Sequence, residues 1–483
     1  MLNEEITCRS CDTLLSIPFE DELNNYVCPD CNVGIKTQIK HKHPRIEFGL
    51  HTNKILCIDF GTSSIRASFR DHEGAPIALE IGEAFNSSID KASIPSAIFI
   101  STSGDEVLFG EVALSRGLKG DESHLFEISP KKWITSNQLE EFIFSKAGLT
   151  KSHLLSGLLN QALNGLCKCL DLAIFELKSY EIRVSHPVWS EKNKAEVMLN
   201  FEKIISDAFL IGDDSEEVFS KNSLFSKVAG HLSTTSYSSI DVIEPVAAAL
   251  ELFNNSQNSR EFCVIIDVGA GTTDMASFIS LTPDVHRIKR KLIRLSEPIS
   301  IYKAGDLIDN EVIKLIKNKS QTGDKVSLKL LNIRRRQIKE QLFKNQKIFE
   351  SNVEISLNEL NNSAEIKNMC SDVRRSFDVL IEQSTPKIMP FITASNHRVD
   401  EVKVIFAGGG SKIKFLQDAI GRNITIAGRR LPISIMTSTS PSRNLPASYE
   451  RLAVALGGTT PEGDWPITEY KDTPVTSHRA YYL

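Results

Sequence analysis

The chain has 483 residues, with 56 Lys and Arg against 61 Asp and Glu, a formal net charge of −5, and is 41% hydrophobic and 24% charged. These proportions exclude a disordered or fibrous chain and supply enough apolar material for large cores, with room for several domains. The slight acidity argues against a general affinity for nucleic acid or an anionic membrane, and no uninterrupted apolar run is long enough to cross a bilayer.

The N-terminus, MLNEEITCRSC, is acidic and polar, without the basic and apolar blocks of a secretory leader, so a cytoplasmic location is expected. Two Cys-x-x-Cys pairs follow, Cys8 with Cys11 and Cys28 with Cys31, separated by sixteen residues. That is the spacing of a four-thiolate zinc site, and the Pro and Gly of CPDCNVG suit a tight knuckle around thiolates. Residues 1–35 therefore read as a zinc ribbon, a module so short that metal binding would supply its folding free energy. Iron at the same thiolates and four unliganded thiols are the alternatives. His41 and His43 belong to a polar, basic linker over 36–53. Of the other cysteines, Cys57 and Cys263 fall in apolar strands as core residues, while Cys167 and Cys169 sit in a helical pattern, as packing residues or as a redox pair.

Residues 54–69, KILCIDFGTSSIRASF, read as a buried strand ending in Asp59, a turn of small and hydroxyl residues, and a second strand. Alone this is a tight turn between core strands. It is repeated at 262–278, FCVIIDVGAGTTDMASF, with Asp59 echoed by Asp267 and Gly61-Thr62 by Gly271-Thr272. Such a turn lets backbone N–H groups approach phosphate oxygens, adds hydroxyl donors, and leaves an Asp able to hold a hydrated metal. Two facing copies would grip one triphosphate from both sides.

Between the copies, SIPSAIFIS (93–101) reads as one alternating strand and VLFGEVALSR as strand into helix. HLFEISPKKWI then carries Lys131 and Lys132 on a turn. A long amphipathic helix is expected from Leu139 to about Phe175, followed by a strand over 180–189 and a helix over 191–209. The polar stretch 213–239 reads as an insertion. In IEPVAAAL, Glu244-Pro245 opens an Ala-rich helix, with the Glu at the positive end of the helix dipole. After the second copy come an Ala-Gly-Asp turn into a helix, a basic helix with Arg334, Arg335, Arg336 and Lys339, and a long helix from about Ala364 to Phe391. Next comes EVKVIFAGGGSKIKFL, in which Gly408, Gly409 and Gly410 would let a nucleotide lie against the backbone. The helix YERLAVALGG (449–458) and a polar tail, 461–483, complete the chain.

Five segments in this order resemble the signature of the actin, sugar-kinase and heat-shock ATPase superfamily: IDFGTSSIRASF, VSHPVW with IEPVAAAL, IIDVGAGTTDMASF, VIFAGGGSKIKFL and ERLAVALGG. IEPVAAAL, the PKKWI turn and AGDLID are most similar to the nucleotide-binding domain of the heat shock protein 70, or DnaK-like, chaperones. The resemblance covers about 54–460. It implies an α/β, two-lobed actin-like ATPase fold built from duplicated ribonuclease-H-like lobes: lobe I about 54–250, lobe II about 251–440, and a return to lobe I about 441–460.

Carried over at matching positions, the resemblance implies ATP or ADP with Mg²⁺. Asp59 and Asp267 would hold the metal through water, and Lys131 and Glu244 would position the attacking water. Gly61, Thr62, Ser63, Gly269, Gly271, Thr272 and Thr273 would contact phosphates, with Asp274 as a further acidic residue. Gly408, Gly409, Gly410 and Lys412 would lie along adenosine, with Lys339 near the ribose. Ala270 departs from the family's Gly triplet, and Lys339-Glu340 and Arg336 from its adenine clamp. No leucine-rich linker or β-sandwich follows Gly458, so the peptide-binding half of a chaperone is expected to be absent. The implied activity is slow, partner-stimulated ATP hydrolysis, read by a protein partner through the zinc ribbon or the tail, in the manner of a co-chaperone or exchange factor. An actin-like polymerising ATPase, a small-molecule kinase and a non-hydrolysing nucleotide sensor are the other readings of the same motifs.

Overall fold

The computed structural model describes residues 3–7, 14–18, 46–47, 54–71, 74–85, 90–136, 138–144, 149–189, 194–212, 218–219, 235–236, 242–253, 260–281, 291–320, 325–393, 399–437 and 451–466. It is a mixed α/β protein with several sheets. The chain divides into two units, Met1–Glu47 with Leu232–Ser236, and Phe48–His231 with Tyr237–Leu483. In the first unit Asn3–Thr7 pairs antiparallel with Leu14–Pro18, and Ile46–Glu47 runs parallel to Thr235–Ser236. Cys8, Cys11, Cys28, Cys31, His41 and His43 lie outside the described residues, as do nearly all of 213–239 and the tail beyond 466.

The second unit is built on two sheets with one design. In the first, strands β1 (Lys54–Phe60) and β2 (Ser64–Asp71) form a hairpin. β3 (Ile77–Leu79) pairs with the far part of β2 and β4 (Ser93–Pro95) with its start. β5 (Glu181–Ser185) runs parallel to β1 on the other side. In the second sheet the hairpin is β6 (Arg260–Val268) with β7 (Thr273–Leu281). β8 (Lys291–Arg294) takes the far part of β7, and β9 (Ile299–Ile301) its start. β10 (Val402–Ala407) runs parallel to β6, and β11 (Asn423–Ile426) and β12 (Arg429–Thr437) extend that edge. β1 is buried from Ile55 to Phe60 without alternation, the pattern of a strand covered on both faces.

Helices supply the covers: α1 (Gly110–Lys119), α2 (Lys151–Leu170), α3 (Lys194–Ile211), α4 (Glu244–Phe253), α5 (Gly305–Lys319), α6 (Lys325–Asn345), α7 (Ala364–Thr393) and α8 (Ala453–Gly458). One core joins the two sheets. Cys57 from the first, Cys263, Ile265, Ala276 and Phe278 from the second, and Val246, Ala247, Ala453 and Val454 from α4 and α8 are buried together. Small side chains on α4 and α8 allow this close helix contact. A second core packs α5, α6 and α7 against the second sheet through Ile308, Val312, Ile338, Phe377 and Phe406.

Two expectations are corrected. SIPSAIFIS is not one strand: Ser93–Pro95 joins the first sheet, while Ile98–Ser101 pairs in a separate sheet with Val107–Phe109 and Ser123–Glu127. Pro95 carries no ladder donor, and Ser96 turns instead toward the first hairpin, donating from Oγ to the Gly61 carbonyl at 2.8 Å. The long helix does not begin at Leu139. Phe142–Phe144 pairs with Leu149–Thr150, and the helix starts after Thr150, whose N–H donates to His153 Nδ1 at 3.0 Å in a capping box.

Candidate functional site

Strand register brings the two aspartates to equivalent points. Asp59 faces Arg66 across the first hairpin, and Asp267 faces Asp274 across the second. Counting from each Asp, Gly61 corresponds to Gly269 and Thr62 to Ala270. The sequence match of Gly61-Thr62 with Gly271-Thr272 is therefore two residues out: it followed the Gly-Thr pair, whereas the backbone counts from the strand end. The turns nevertheless meet. A Cβ placed on Gly271 would lie 3.1 Å from Thr62 Oγ1, so glycine there lets the two turns approach without displacing the Thr62 side chain.

The carboxylates are held by short local bonds. Ser185, opposite Asp59 in the parallel ladder, donates from Oγ to Asp59 Oδ1 at 3.0 Å. Thr272 Oγ1 donates to Asp274 Oδ2 at 2.6 Å and the Val188 N–H to Oδ1 at 3.3 Å. Thr273 Oγ1 donates to the Lys303 carbonyl at 2.8 Å. Asp59, Asp267 and Asp274 are 7%, 5% and 1% exposed.

Lys131 stands on the 3-10 turn Pro130–Ile134 and is itself buried. Its Nζ lies 2.8 Å from Glu244 Oε1. Glu244 opens α4, and its place is fixed by backbone: its N–H donates to the His186 carbonyl at 3.0 Å, and the His186 N–H to the Val242 carbonyl at 3.0 Å. The end of β5 thus orients both Asp59, through Ser185, and Glu244, through His186.

Burial, then the neighbouring Glu244, pushes the Asp59 carboxyl up to about 6, against the opposing pull of Arg66 and Lys131. Asp274 is pushed up to about 7 by burial and then Glu244, opposed by its hydrogen bonds from Thr272 and Val188. Asp267 is raised well above the ordinary range by burial, then by Glu244, Asp274 and Asp59. Four acidic groups thus share one desolvated region with Lys131. Such a set accommodates a cation. Among the described residues no three His, Cys, Asp or Glu side chains form a cage around a metal, so a fit exists only for an ion that keeps much of its own water.

The third glycine-rich loop abuts this centre. Gly408 has φ +76°, and a Cβ there would fall 2.2 Å from Asp267 Oδ1; the Gly410 N–H donates to the Val268 carbonyl at 2.9 Å. A Cβ at Gly409 would meet nothing within 4 Å. Lys412 follows in the same loop. Lys339 Nζ sits 2.7 Å from Asp309 Oδ1, on α5, and donates to the Gly305 carbonyl at 3.4 Å. The N-terminus of α5 is fastened to the second turn, with the Gly305 N–H donating to the Gly269 carbonyl at 3.1 Å and the Asp306 N–H to the Ala270 carbonyl at 2.7 Å.

The structure therefore gathers Asp59, Thr62, Lys131, Glu244, Asp267, Gly271, Thr272 and Gly408, while the four N-terminal cysteines lie outside the described residues. The sequence reading missed Ser185, His186 and Arg66. The first two are pairing effects with no local motif. Arg66 could have been found by aligning the hairpins on their aspartates, which sets it at the position of Asp274. No family model matches the chain, and no curated protein matches it.

Proposed function

We propose that the region 54–460 is a two-lobed, actin-like nucleotide-binding domain of the DnaK-like type, which binds ATP with Mg²⁺ and hydrolyses it slowly. The observation that carries this reading is the meeting of the two turns, Thr62 against Gly271, with a buried aspartate behind each. A pair of small-residue turns facing each other offers backbone N–H groups to a polyphosphate from two sides. Asp59 and Asp267 would hold Mg²⁺ through water, and the bound ion offsets phosphate charge. Lys131 and Glu244, locked together beside this point, would orient the attacking water in line with the terminal phosphate. Gly408, Gly409 and Gly410 would receive the adenosine.

The output of such a domain is lobe closure, read by a protein partner through the zinc-binding N-terminal module or the tail. The first test is ATP turnover by the wild type beside Asp59→Ala and Glu244→Ala, with ATP and ADP binding followed by calorimetry. Slow turnover lost in both variants, with ATP still bound by Glu244→Ala, supports the reading. A wild type that binds no adenine nucleotide overturns it.

A further inference from the structure

The second sheet ends at β11, and among the described residues no strand pairs with its outer side. Register decides which of its backbone groups are left over. The Ile433 N–H donates to the Arg422 carbonyl at 2.8 Å, and bonded pairs alternate along an antiparallel ladder, so Ile424 bonds to Leu431 and Ile426 to Arg429. Asn423 and Thr425 therefore turn their N–H and C=O groups outward. Native sheets commonly guard such an edge with a charge or a proline, and Asn-Ile-Thr-Ile carries neither. Beside the edge lies a groove of about 600 Å³, whose other wall is α7 through Asp378, Ile381 and Glu382.

Charge divides this groove. Ile424, Ile426 and Ile381 are buried in one core, so the face of β11 that carries the isoleucines is the face α7 covers. Asp378 and Glu382 stand on that side, Asp378 held by Arg374 Nε at 2.9 Å and Glu382 without a hydrogen bond or ion pair among the described residues. Arg430 is opposite Thr425 in the ladder and so belongs to the other face, where it too has no such partner among the described residues. An added strand would alternate its side chains between these faces. We infer that the groove binds an extended segment of a partner protein by strand addition to β11, with basic and apolar side chains toward α7 and acidic side chains toward Arg430. A second copy fits less well, because antiparallel pairing through the same edge would set the Asp378 and Glu382 flanks of two α7 helices against each other. The lining residues belong neither to the turns nor to the Lys131–Glu244 pair, so the inference stands apart from nucleotide binding.

The experiment titrates the full chain into a fluorescein-labelled probe peptide, Thr-Lys-Glu-Val-Glu-Lys-Glu-Thr, and follows anisotropy. As a strand this peptide presents Lys and Val on one face and Glu on the other. Two further forms are N-methylated, one at the three Glu and one at the Lys and Val, because amides of alternate residues point to opposite edges of a strand. The expected result is saturable binding by wild type, lost at least tenfold in one methylated form and kept in the other. Thr425→Pro, which removes an outward N–H and leaves the ladder to β12 intact, should also lose tenfold with unchanged circular dichroism. Glu382→Lys with Arg430→Glu should lose tenfold toward the probe and regain it toward the peptide with Lys and Glu exchanged. No saturable binding by wild type overturns the inference, as does equal binding of the two methylated forms or binding indifferent to the charge exchange. A wild type that self-associates in sedimentation equilibrium, with Thr425→Pro monomeric, would give the edge to a second copy and overturn it too.

Discussion

Lys131 and Glu244 are 113 positions apart in the chain and 2.8 Å apart in space, Lys131 buried and Glu244 partly so, each delivered by a different element. The pair sits beside three carboxylates whose pKa values burial raises, so it faces a desolvated acidic centre. Glu244→Gln keeps the shape and removes the charge. We expect ATP turnover to fall roughly 100-fold or more, with ATP affinity changed little, because on the proposed reading Glu244 acts on the reacting water. Single-turnover hydrolysis beside equilibrium binding checks this. A variant that loses binding and turnover in equal measure would place Glu244 in the phosphate grip instead.

The acidic cluster also fixes how stability should depend on pH in the nucleotide-free protein. Asp59 and Asp274 are pushed up to about 6 and about 7. In the unfolded chain such groups titrate near 4. Between those values the folded state holds more protons than the unfolded state, so this contribution is complete at low pH and is lost as pH rises through the folded values. Asp274→Asn should flatten the decline and raise the melting temperature at neutral pH. Thermal unfolding of both proteins across this range is the measurement, and parallel curves would count against the buried-cluster account.

Much of this arrangement was legible because the hairpins announce themselves: an unbroken apolar run, an Asp, and small residues, twice over. Glu244-Pro245 before an Ala-rich run likewise marks where α4 begins. What was not legible depends on partners remote in sequence. Ser185 matters because the parallel ladder sets it against Asp59. Pro95 splits a run that alternates well enough to pass for one strand. The register of Arg66 against Asp274 emerges only when both hairpins are counted from their aspartates, since the eye follows the Gly-Thr pairs.

The helix pair α4 and α8 should tolerate no bulk at its contact. A Cβ on Gly457 would lie 1.8 Å from the Ala247 carbonyl, and one on Gly458 2.2 Å from Cys57 Sγ. Because the former obstacle is backbone, Gly457→Ala forces the helices apart. We expect a loss of about 1–3 kcal/mol, the usual cost of overpacking, read as a lower midpoint in urea unfolding. An unchanged midpoint would mean that the two helices do not pack as described.

The four N-terminal thiolates predict one bound zinc per chain. Cys28→Ser with Cys31→Ser should abolish it by elemental analysis, and should increase hydrogen exchange within 1–35 while leaving β1 and β6 protected, because a module that short would draw its folding free energy from the proposed metal. Zinc retained in the double variant would mean that other residues hold it.

A three-way contact links Ser129, just before the Lys131 turn, to the helices of the second sheet. Arg336 Nη2 donates to Ser129 Oγ at 2.7 Å and reaches Asp306 Oδ1 at 3.3 Å, while Ser129 Oγ donates to Asp306 Oδ2 at 2.9 Å. These bonds tie the Lys131 turn to α5 and α6, so on the proposed reading they would favour the closed arrangement. Hydrogen bonds to charged groups contribute about 1.5–3 kcal/mol, and tenfold in a rate corresponds to about 1.4. Arg336→Ala should therefore speed release of a fluorescent ADP analogue by tenfold or more in stopped flow, without changing the circular dichroism. Ser129→Ala should act in the same direction more weakly, since Arg336 and Asp306 still meet, and the double variant should add little to Arg336→Ala because both residues serve one contact. Release at the wild-type rate in Arg336→Ala would show that closure is held elsewhere.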